Sequence, residues 1–427
     1  IKENKLTINK ADKGNIITIE NKENLIKKTN NFLNNNKFHT LKSDPTNRFQ
    51  NNIKKLIKDN KDIITIDRKN LINPNPSAPQ LRTNTKIHKE NYPIRPIVNY
   101  KSAPAYNLKK YINQYLKSTL NIQNKYNIKN SKHLTDLLNI AYITPNSKML
   151  SLDIKDMYTN IPKKETIQII KEQLSLNDKE ESTINQIINI LETTLEQNYF
   201  TYNDKWYLQQ EGLPMGSPLS PIISEIFLQN LENTHIEKIK KQHNIIYYGR
   251  YVDDILIIYN NVKNTDNKIK NTFNNLHKNI QFTLESETNK SINFLDLKLN
   301  RQKSNIIYDI YRKPTTSKSS IHINSHHPTN YKYANFRFLL KRLNNIPLSK
   351  YNYNKELTNI IQIAKYNGYA EEIIYKLNKN IKNKKRQTNS TTLNNTQNNN
   401  NKTGKPFHYY QNISGNINKI FKKQNIK

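Results

Sequence analysis

Apolar residues recur along this chain at two spacings, one helical and one of two, and together these predict most of its elements. Residues 15–20 read as a strand after an Asp12-Lys13-Gly14 turn. A helix opens at Pro45 under an Asp44 cap, with Phe49, Ile53, Leu56 and Ile57 on one face. Pro74, Pro76 and Pro79 mark a linker, and a hairpin-like basic segment follows over residues 81–100. Residues 107–140 have the helical spacing of Leu108, Tyr111, Ile112, Tyr115 and Leu116. Met149, Leu150, Leu152 and Ile154 predict a strand that contains Asp153, and Asn160 with Pro162 opens a helix carrying Ile167, Ile170 and Leu174. A second amphipathic helix has Ile184, Ile187, Ile188, Leu191 and Leu195 on one stripe. Strands over 199–202 and 205–208 flank an Asn203-Asp204 turn, and a long helix covers 222–241. A helix around Ile269 and Phe273 precedes strands at 281–285, 292–299 and 306–311. Residues 331–382 are helical again, with Gly368 as a cap between two helices. Residues 383–403 hold almost no apolar side chains and read as disordered.

The stretch that organises the rest is 245–259, IIYYGRYVDDILIIY. Two strand-like runs flank a turn that carries Asp253 and Asp254 side by side, and the second run does not alternate, so it is buried on both faces. Adjacent carboxylates at the tip of a buried hairpin repel one another, and a divalent cation removes that conflict. The plainer alternative is that Asp is simply a good turn residue. A third carboxylate and a nucleotide site elsewhere in the chain decide between the two.

Composition narrows the partners. Lys and Arg number 68 against 34 acidic residues, a formal net charge of +34, which favours a polyanion and above all nucleic acid. No apolar run approaches a membrane span, so no membrane partner is expected. The chain has no cysteine, which excludes a disulfide-linked partner and a thiolate metal site, and fits an intracellular protein, placed in the nucleus. It begins at Ile1 rather than Met, so its true start is not visible. Glycine occurs only seven times, and Gly212 and Gly216 fall in one short segment, QEGLPMGSPLSP over 210–221, ahead of the long helix.

Asp153 at a strand end, the glycine-containing loop and the Asp-Asp hairpin occur in the order that a polymerase palm needs. Nucleotidyl transfer is an in-line displacement at phosphorus, and two Mg²⁺ ions held by carboxylates can clamp the attacking and leaving oxygens. Glycines in the loop would let its backbone approach the base pair being made. Asp153-Ile-Lys-Asp-Met-Tyr158, Leu213-Pro-Met-Gly-Ser-Pro218 and Tyr251-Val-Asp-Asp254 resemble the A, B and C motifs of reverse transcriptases. More narrowly, the chain resembles the Penelope-like retroelements, relatives of telomerase. That likeness rests on Ala11-Asp-Lys-Gly14, Lys86-Ile-His-Lys89, Ile94-Arg-Pro-Ile97, Tyr158-Thr-Asn-Ile-Pro162 and Met215-Gly-Ser-Pro-Leu-Ser-Pro221. It continues through Phe294-Leu-Asp-Leu297, Tyr311-Arg-Lys-Pro314 and Asn324-Ser-His-His-Pro328, so it covers most of residues 11–375.

The resemblance implies an α+β right-hand polymerase, with an antiparallel palm sheet backed by helices and a helical thumb. It divides the chain into an N-terminal extension (1–73), fingers (74–148), a palm with motifs A to E (149–305) and a thumb (306–382). A disordered linker (383–403) and a remnant of a connector to an absent nuclease (404–427) would follow. It implies an RNA-directed DNA polymerase that takes an RNA template, a DNA primer and dNTPs, with two Mg²⁺ ions (Mn²⁺ as a substitute). Asp153, Asp253 and Asp254 would be the catalytic metal ligands. Tyr158 would gate the sugar of the incoming nucleotide, although a ring that only packs beneath the next helix is the alternative. Arg95, with Lys86 and Lys89, would hold its triphosphate, whereas a solvated basic loop is the usual fate of such a run. Gln210 and Gly216 would line the nascent pair, and Phe294, Leu295 and Asp296 would form the primer grip. Asp156 is expected to face away from the metals, and His326 and His327 to be structural rather than a metal pair.

Many Penelope-like proteins end in a nuclease of the GIY-YIG type, and this chain stops at what resembles the connector before it, so target nicking is not assigned to it. The alternative function is a catalytically decayed copy acting only as an RNA-binding protein, which the intact Asp153, Asp253 and Asp254 argue against. A purely structural RNA binder would have no need of these carboxylates.

Overall fold

The computed structural model describes residues 5–13, 16–35, 38–120, 122 and 124–390. They fall into two compact units. The first is drawn from Ile1–Asn130, Ile140–Phe294 and Lys313–Thr316, the second from Ser131–Asn139, Leu295–Arg312 and Ser317–Lys427.

At the centre of the first unit is a four-stranded antiparallel sheet, in the order Phe282–Ser286, Ser147–Ile154, Asp254–Asn260, Ile245–Tyr251. Ile255 to Tyr259 are all buried, as a strand covered on both faces must be. Helices Lys163–Leu176, Glu181–Glu196 and Ser220–Gln242 contribute Ile170, Leu174, Ile187, Leu191, Ile223 and Phe227 to the same core. That burial holds the strand ends in place. A five-stranded sheet in the same unit runs Phe38–Leu41, Lys205–Gln209, Tyr199–Tyr202, Gln80–Thr85, Ile94–Asn99. Asn203 and Asp204, both at positive φ (48° and 56°), make the tight turn between two of its strands, where short polar side chains tolerate the left-handed region. A two-stranded hairpin, Leu6–Lys10 with Ile17–Asn21, completes the unit.

The second unit pairs strands Leu297–Gln302 and Asn305–Ile310, and packs helices Ala334–Asn345, Lys350–Tyr366 and Glu371–Ser390 around Phe336, Leu340, Ile360, Tyr369 and Ile374. Gly368 (φ 80°) sits between the last two helices, and a Cβ there would lie 2.8 Å from Ile323 Cγ2. No helix among the described residues is long and apolar enough to cross a membrane.

Four expectations need correction. The helical stretch over 107–140 is two helices, Tyr106–Thr119 and Ser131–Asn139. Part of the chain between them is pinned to the strand Ile245–Tyr251 instead: Ile128 N–H donates to Arg250 O (2.7 Å) and Arg250 N–H to Tyr126 O (2.9 Å). The strand expected over 292–299 breaks at Leu295, whose φ of 57° ends Ser291–Phe294 before Leu297–Gln302 begins. Helix Glu371–Ser390 runs into the tract read as disordered; straight-chain Lys, Arg and Gln propagate a helix already anchored by its first turns. The rest of that tract, and residues 404–427, lie outside the described residues. Finally, the N-terminal region also contains strand Leu6–Lys10, helix Lys22–Asn35 and strand Phe38–Leu41, which its polar composition hid.

Candidate active site

Antiparallel register places Asp254 opposite Asp153, and the hairpin turn swings Asp253 in beside them. Ile154 N–H donates to Asp253 O at 3.1 Å, tying the turn to the neighbouring strand. Val252 takes φ 58° to make that turn. One oxygen of each carboxylate lies within 4.8 Å of the others, and among the described residues this is the one group of three or more side chains able to hold a metal ion. Burial, then the charge of Asp253, pushes Asp153 up, while Lys89, Lys13 and Lys86 oppose the shift. Burial, then Asp253 and Asp153, pushes Asp254 up to about 6, against Lys313 and Lys13. Three hard oxygen donors in mutual repulsion fit a divalent cation, which relieves the conflict that raises them. Asp156, exposed and at φ 47°, is not among the converging carboxylates. His327 Nδ1 is paired with Ser325 Oγ, and neither His326 nor His327 joins a metal-capable group among the described residues.

Beneath the hairpin lies a charged network that the sequence reading missed. Arg250, 1 % exposed, gives Nε and Nη2 to Glu232 (2.7 and 2.9 Å) and Nη1 and Nη2 to Glu225 (2.9 Å each). Its Nη1 also donates to Val252 O in the turn itself, at 3.1 Å. Tyr248 Oη donates to Glu232 at 2.9 Å, and Asn124 and Asn127 amides donate to Glu232 and Glu225. Burial by itself would raise Glu225, but the guanidinium beside it brings its carboxyl below the ordinary range. A signal was present: an arginine inside a strand-like apolar run, and two glutamates two helical turns apart on the long helix.

On the nucleotide side, Arg95 Nε meets Asp12 Oδ1 at 2.8 Å. Lys86 is lowered by burial and then by the charges of Arg95 and Lys89, and Lys89 and Lys86 in turn hold Asp153 down against its burial. Tyr158 is half-buried, its phenol raised by burial and then by Asp253. It lines a cavity of about 500 Å³ with Met157, Val252, Pro221, Ile222 and Leu228. Its carbonyl accepts Leu213 N–H at 2.6 Å, which fixes the loop against the strand end. Gln210 and Gly216 are exposed on that loop. The two loop glycines have a reason of their own: a Cβ on Gly212 (φ 69°) would lie 2.2 Å from Thr159 O, and on Gly216 (φ 106°) 2.2 Å from Val98 O. The close approach they permit is therefore to the chain's own backbone. Phe294 is buried in the first unit. In the second, Leu295 makes the strand break and Asp296 accepts from Ser131 Oγ and from Arg342 Nη1 (3.0 Å).

An antiparallel sheet with a carboxylate at one strand end, two more at the adjoining hairpin tip and helices behind is the palm of a polynucleotide polymerase, and the α+β fold is of the right-hand polymerase kind. The chain belongs to the reverse transcriptase (RNA-dependent DNA polymerase) family, whose profile matches residues 87–339, and its class is that of an RNA-directed DNA polymerase, a nucleotidyltransferase. Residues 319–379 also match the animal helix-turn-helix domain. No curated protein matches the sequence. Among solved structures, it is similar to a telomerase from Candida albicans in complex with a TWJ fragment of telomeric RNA: TM-score 0.55, 12% identity, covering 90% of this chain and 68% of that one. The corresponding Candida tropicalis complex gives TM-score 0.52, 13% identity, and 83% and 59% coverage. At such identities the likeness is one of fold.

Proposed function

We propose that this chain is the polymerase of a Penelope-like retroelement, extending a DNA primer on an RNA template by two-metal nucleotidyl transfer. The observation that carries the reading is the convergence of Asp153, Asp253 and Asp254, with oxygens within 4.8 Å and with Asp153 and Asp254 raised by burial and then by the charge of Asp253. The narrower assignment rests on the ordered motifs from Ala11-Asp-Lys-Gly14 to Asn324-Ser-His-His-Pro328. Asp153, Asp253 and Asp254 would hold two Mg²⁺ ions, with Mn²⁺ as a substitute. Bound there, the ions supply charge stabilisation at the reacting phosphorus and its oxygens. Arg95, Lys86 and Lys89 receive the triphosphate. Tyr158 lies under the sugar, Gln210 and Gly216 line the nascent pair, and Phe294, Leu295 and Asp296 guide the primer.

The same reading assigns fingers to 74–148, palm to 149–305 and thumb to 306–382, with 1–73 as an N-terminal extension and 404–427 as a connector. It places the work in the nucleus. The net charge of +34 supports a long phosphate-backbone contact. The test is extension of a DNA primer on an RNA template by the wild-type chain with dNTPs and Mg²⁺. Tight RNA binding without a single added nucleotide, across several primer–templates, would replace this reading with that of a decayed copy.

A further inference from the structure

The second unit has a charged network of its own, and it ends on a residue of the expected primer grip. Asp296 follows Leu295, whose φ of 57° makes the turn ahead of strand Leu297–Gln302. The Asp296 carbonyl accepts Tyr311 N–H at 2.9 Å, which continues the ladder between that strand and Asn305–Ile310. Both oxygens of its carboxylate are engaged. Oδ1 accepts from Ser131 Oγ, at the first residue of helix Ser131–Asn139, and Oδ2 from Arg342 Nη1 at 3.0 Å. Arg342 lies in the last turn of helix Ala334–Asn345, and its Nη2 is 3.6 Å from Glu356 Oε1 on helix Lys350–Tyr366. The Glu356 side chain is 2% exposed, and it also takes both terminal nitrogens of Arg312, with Nη2 donating to Oε1 at 2.5 Å. Charge therefore alternates along Asp296, Arg342, Glu356 and Arg312. Arg342 Nε is buried without a hydrogen-bond partner, so the two terminal nitrogens do all of this residue's polar pairing.

A planar guanidinium that reaches one carboxylate with each terminal nitrogen fixes the elements carrying them at a set distance. Here those elements are the turn at 295–296 and helix Lys350–Tyr366. Leu340, Leu343, Ile360 and Ala364 pack that helix against the one that carries Arg342, and Asn352 Nδ2 fastens it to Tyr308 O at 2.8 Å. We propose that Arg342 is a positioning residue for the primer grip: acting through Asp296, it makes the turn and these helices one piece that meets a primer–template together. This rests on the primer-grip reading above. The Asp296 carboxylate then holds the turn and touches no primer, and the half-buried Leu295 is the side chain left to meet it.

The test is binding of a labelled RNA template with a DNA primer by the full chain, read by fluorescence anisotropy over a salt series. Arg342→Ala should raise the Kd roughly tenfold, the scale of one charge-assisted contact, with the KM for dNTP unchanged. Asp296→Ala should do the same, although removing a negative charge would by itself tighten binding of a polyanion. The double variant should lose no more than either single one, because both break the same contact. The slope of log K against log salt should stay at the wild-type value in all three. Wild-type affinity in a folded Arg342→Ala or Asp296→Ala protein would overturn the proposal, and so would losses that add. A slope lower by about 1 in Arg342→Ala would also overturn it, since Arg342 would then be a direct phosphate contact. Where an alanine variant melts early, Arg342→Met with Asp296→Asn completes the same cycle and decides. Binding is read without chemistry, so a wild type that binds but extends no primer counts against the polymerase reading and leaves this result standing.

Discussion

Two clusters of charge lie a few residues apart on the same hairpin, and they are built on opposite rules. Around Arg250, a buried guanidinium meets two carboxylates, two amides and a phenol, and each charge is answered inside the protein. Around Asp253, three carboxylates converge on one another, and burial, then the charges of Asp253 and Asp153, push Asp254 up to about 6. The first cluster is closed and holds the turn through Val252 O. The second is left open, as a site must be if a cation and a nucleotide are to complete it. The contrast separates structural charge from functional charge without appeal to sequence likeness.

The sharpest way to break the comparison is to neutralise one member of each cluster. Asp153→Asn should lower primer extension by roughly 10³-fold or more, while its melting temperature holds or rises, because a like-charge contact has been removed. A lower melting temperature with extension intact would invert the assignment. Arg250→Met should do the reverse, costing about 3–5 kcal/mol in chemical denaturation because Glu232 and Glu225 are left without their counter-charge. Adding Glu225→Gln and Glu232→Gln should restore most of that loss. If the single and triple variants were equally stable, the network would not be the closed unit described.

A smaller effect belongs to Tyr158. Tyr158→Ala should raise ribonucleotide incorporation relative to deoxyribonucleotide by roughly tenfold, the scale of one steric contact in a pocket. An unchanged ratio in a folded, active variant would return the ring to simple packing against the helix core. Smaller still is a pH effect on the cation-free protein. Asp254 titrates near 6 when folded and near the ordinary value of about 3.9 when unfolded. Between those values the native state keeps a proton that the unfolded state has lost, so stability falls as pH rises through the window. Partial solvent exposure keeps the change small. Asp254→Asn should flatten the profile, and Mg²⁺ should stabilise the wild type more above pH 6 than below it. Thermal melts from pH 3.5 to 7.5, in chelator and in Mg²⁺, read both.

The open cluster was legible in the sequence and the closed one was not. Asp253 and Asp254 announce themselves because a turn and two strands are local patterns, and the strand containing Asp153 follows from alternating burial. Arg250 in an apolar run, and Glu225 and Glu232 two helical turns apart, each leave a trace, but no spacing links a strand arginine to a helix that precedes it. The tie between Asp12 and Arg95 was hidden for the same reason. Local strain was equally invisible: nothing about Leu295 forecasts φ 57°, so one expected strand became two. The glycines were noticed, but the backbone they make room for at Gly212 and Gly216 is the chain's own.

The central claim is that the open cluster holds a cation in order to copy RNA. Single-nucleotide extension of a DNA primer on an RNA template, titrated with Mg²⁺ and run beside primer–template binding for wild type and Asp253→Asn, tests it most directly. The account predicts a Mg²⁺-dependent product from wild type, none above background from Asp253→Asn, and equal primer–template affinity for the two. Product at the wild-type rate from Asp253→Asn, or from wild type in chelator, would contradict it.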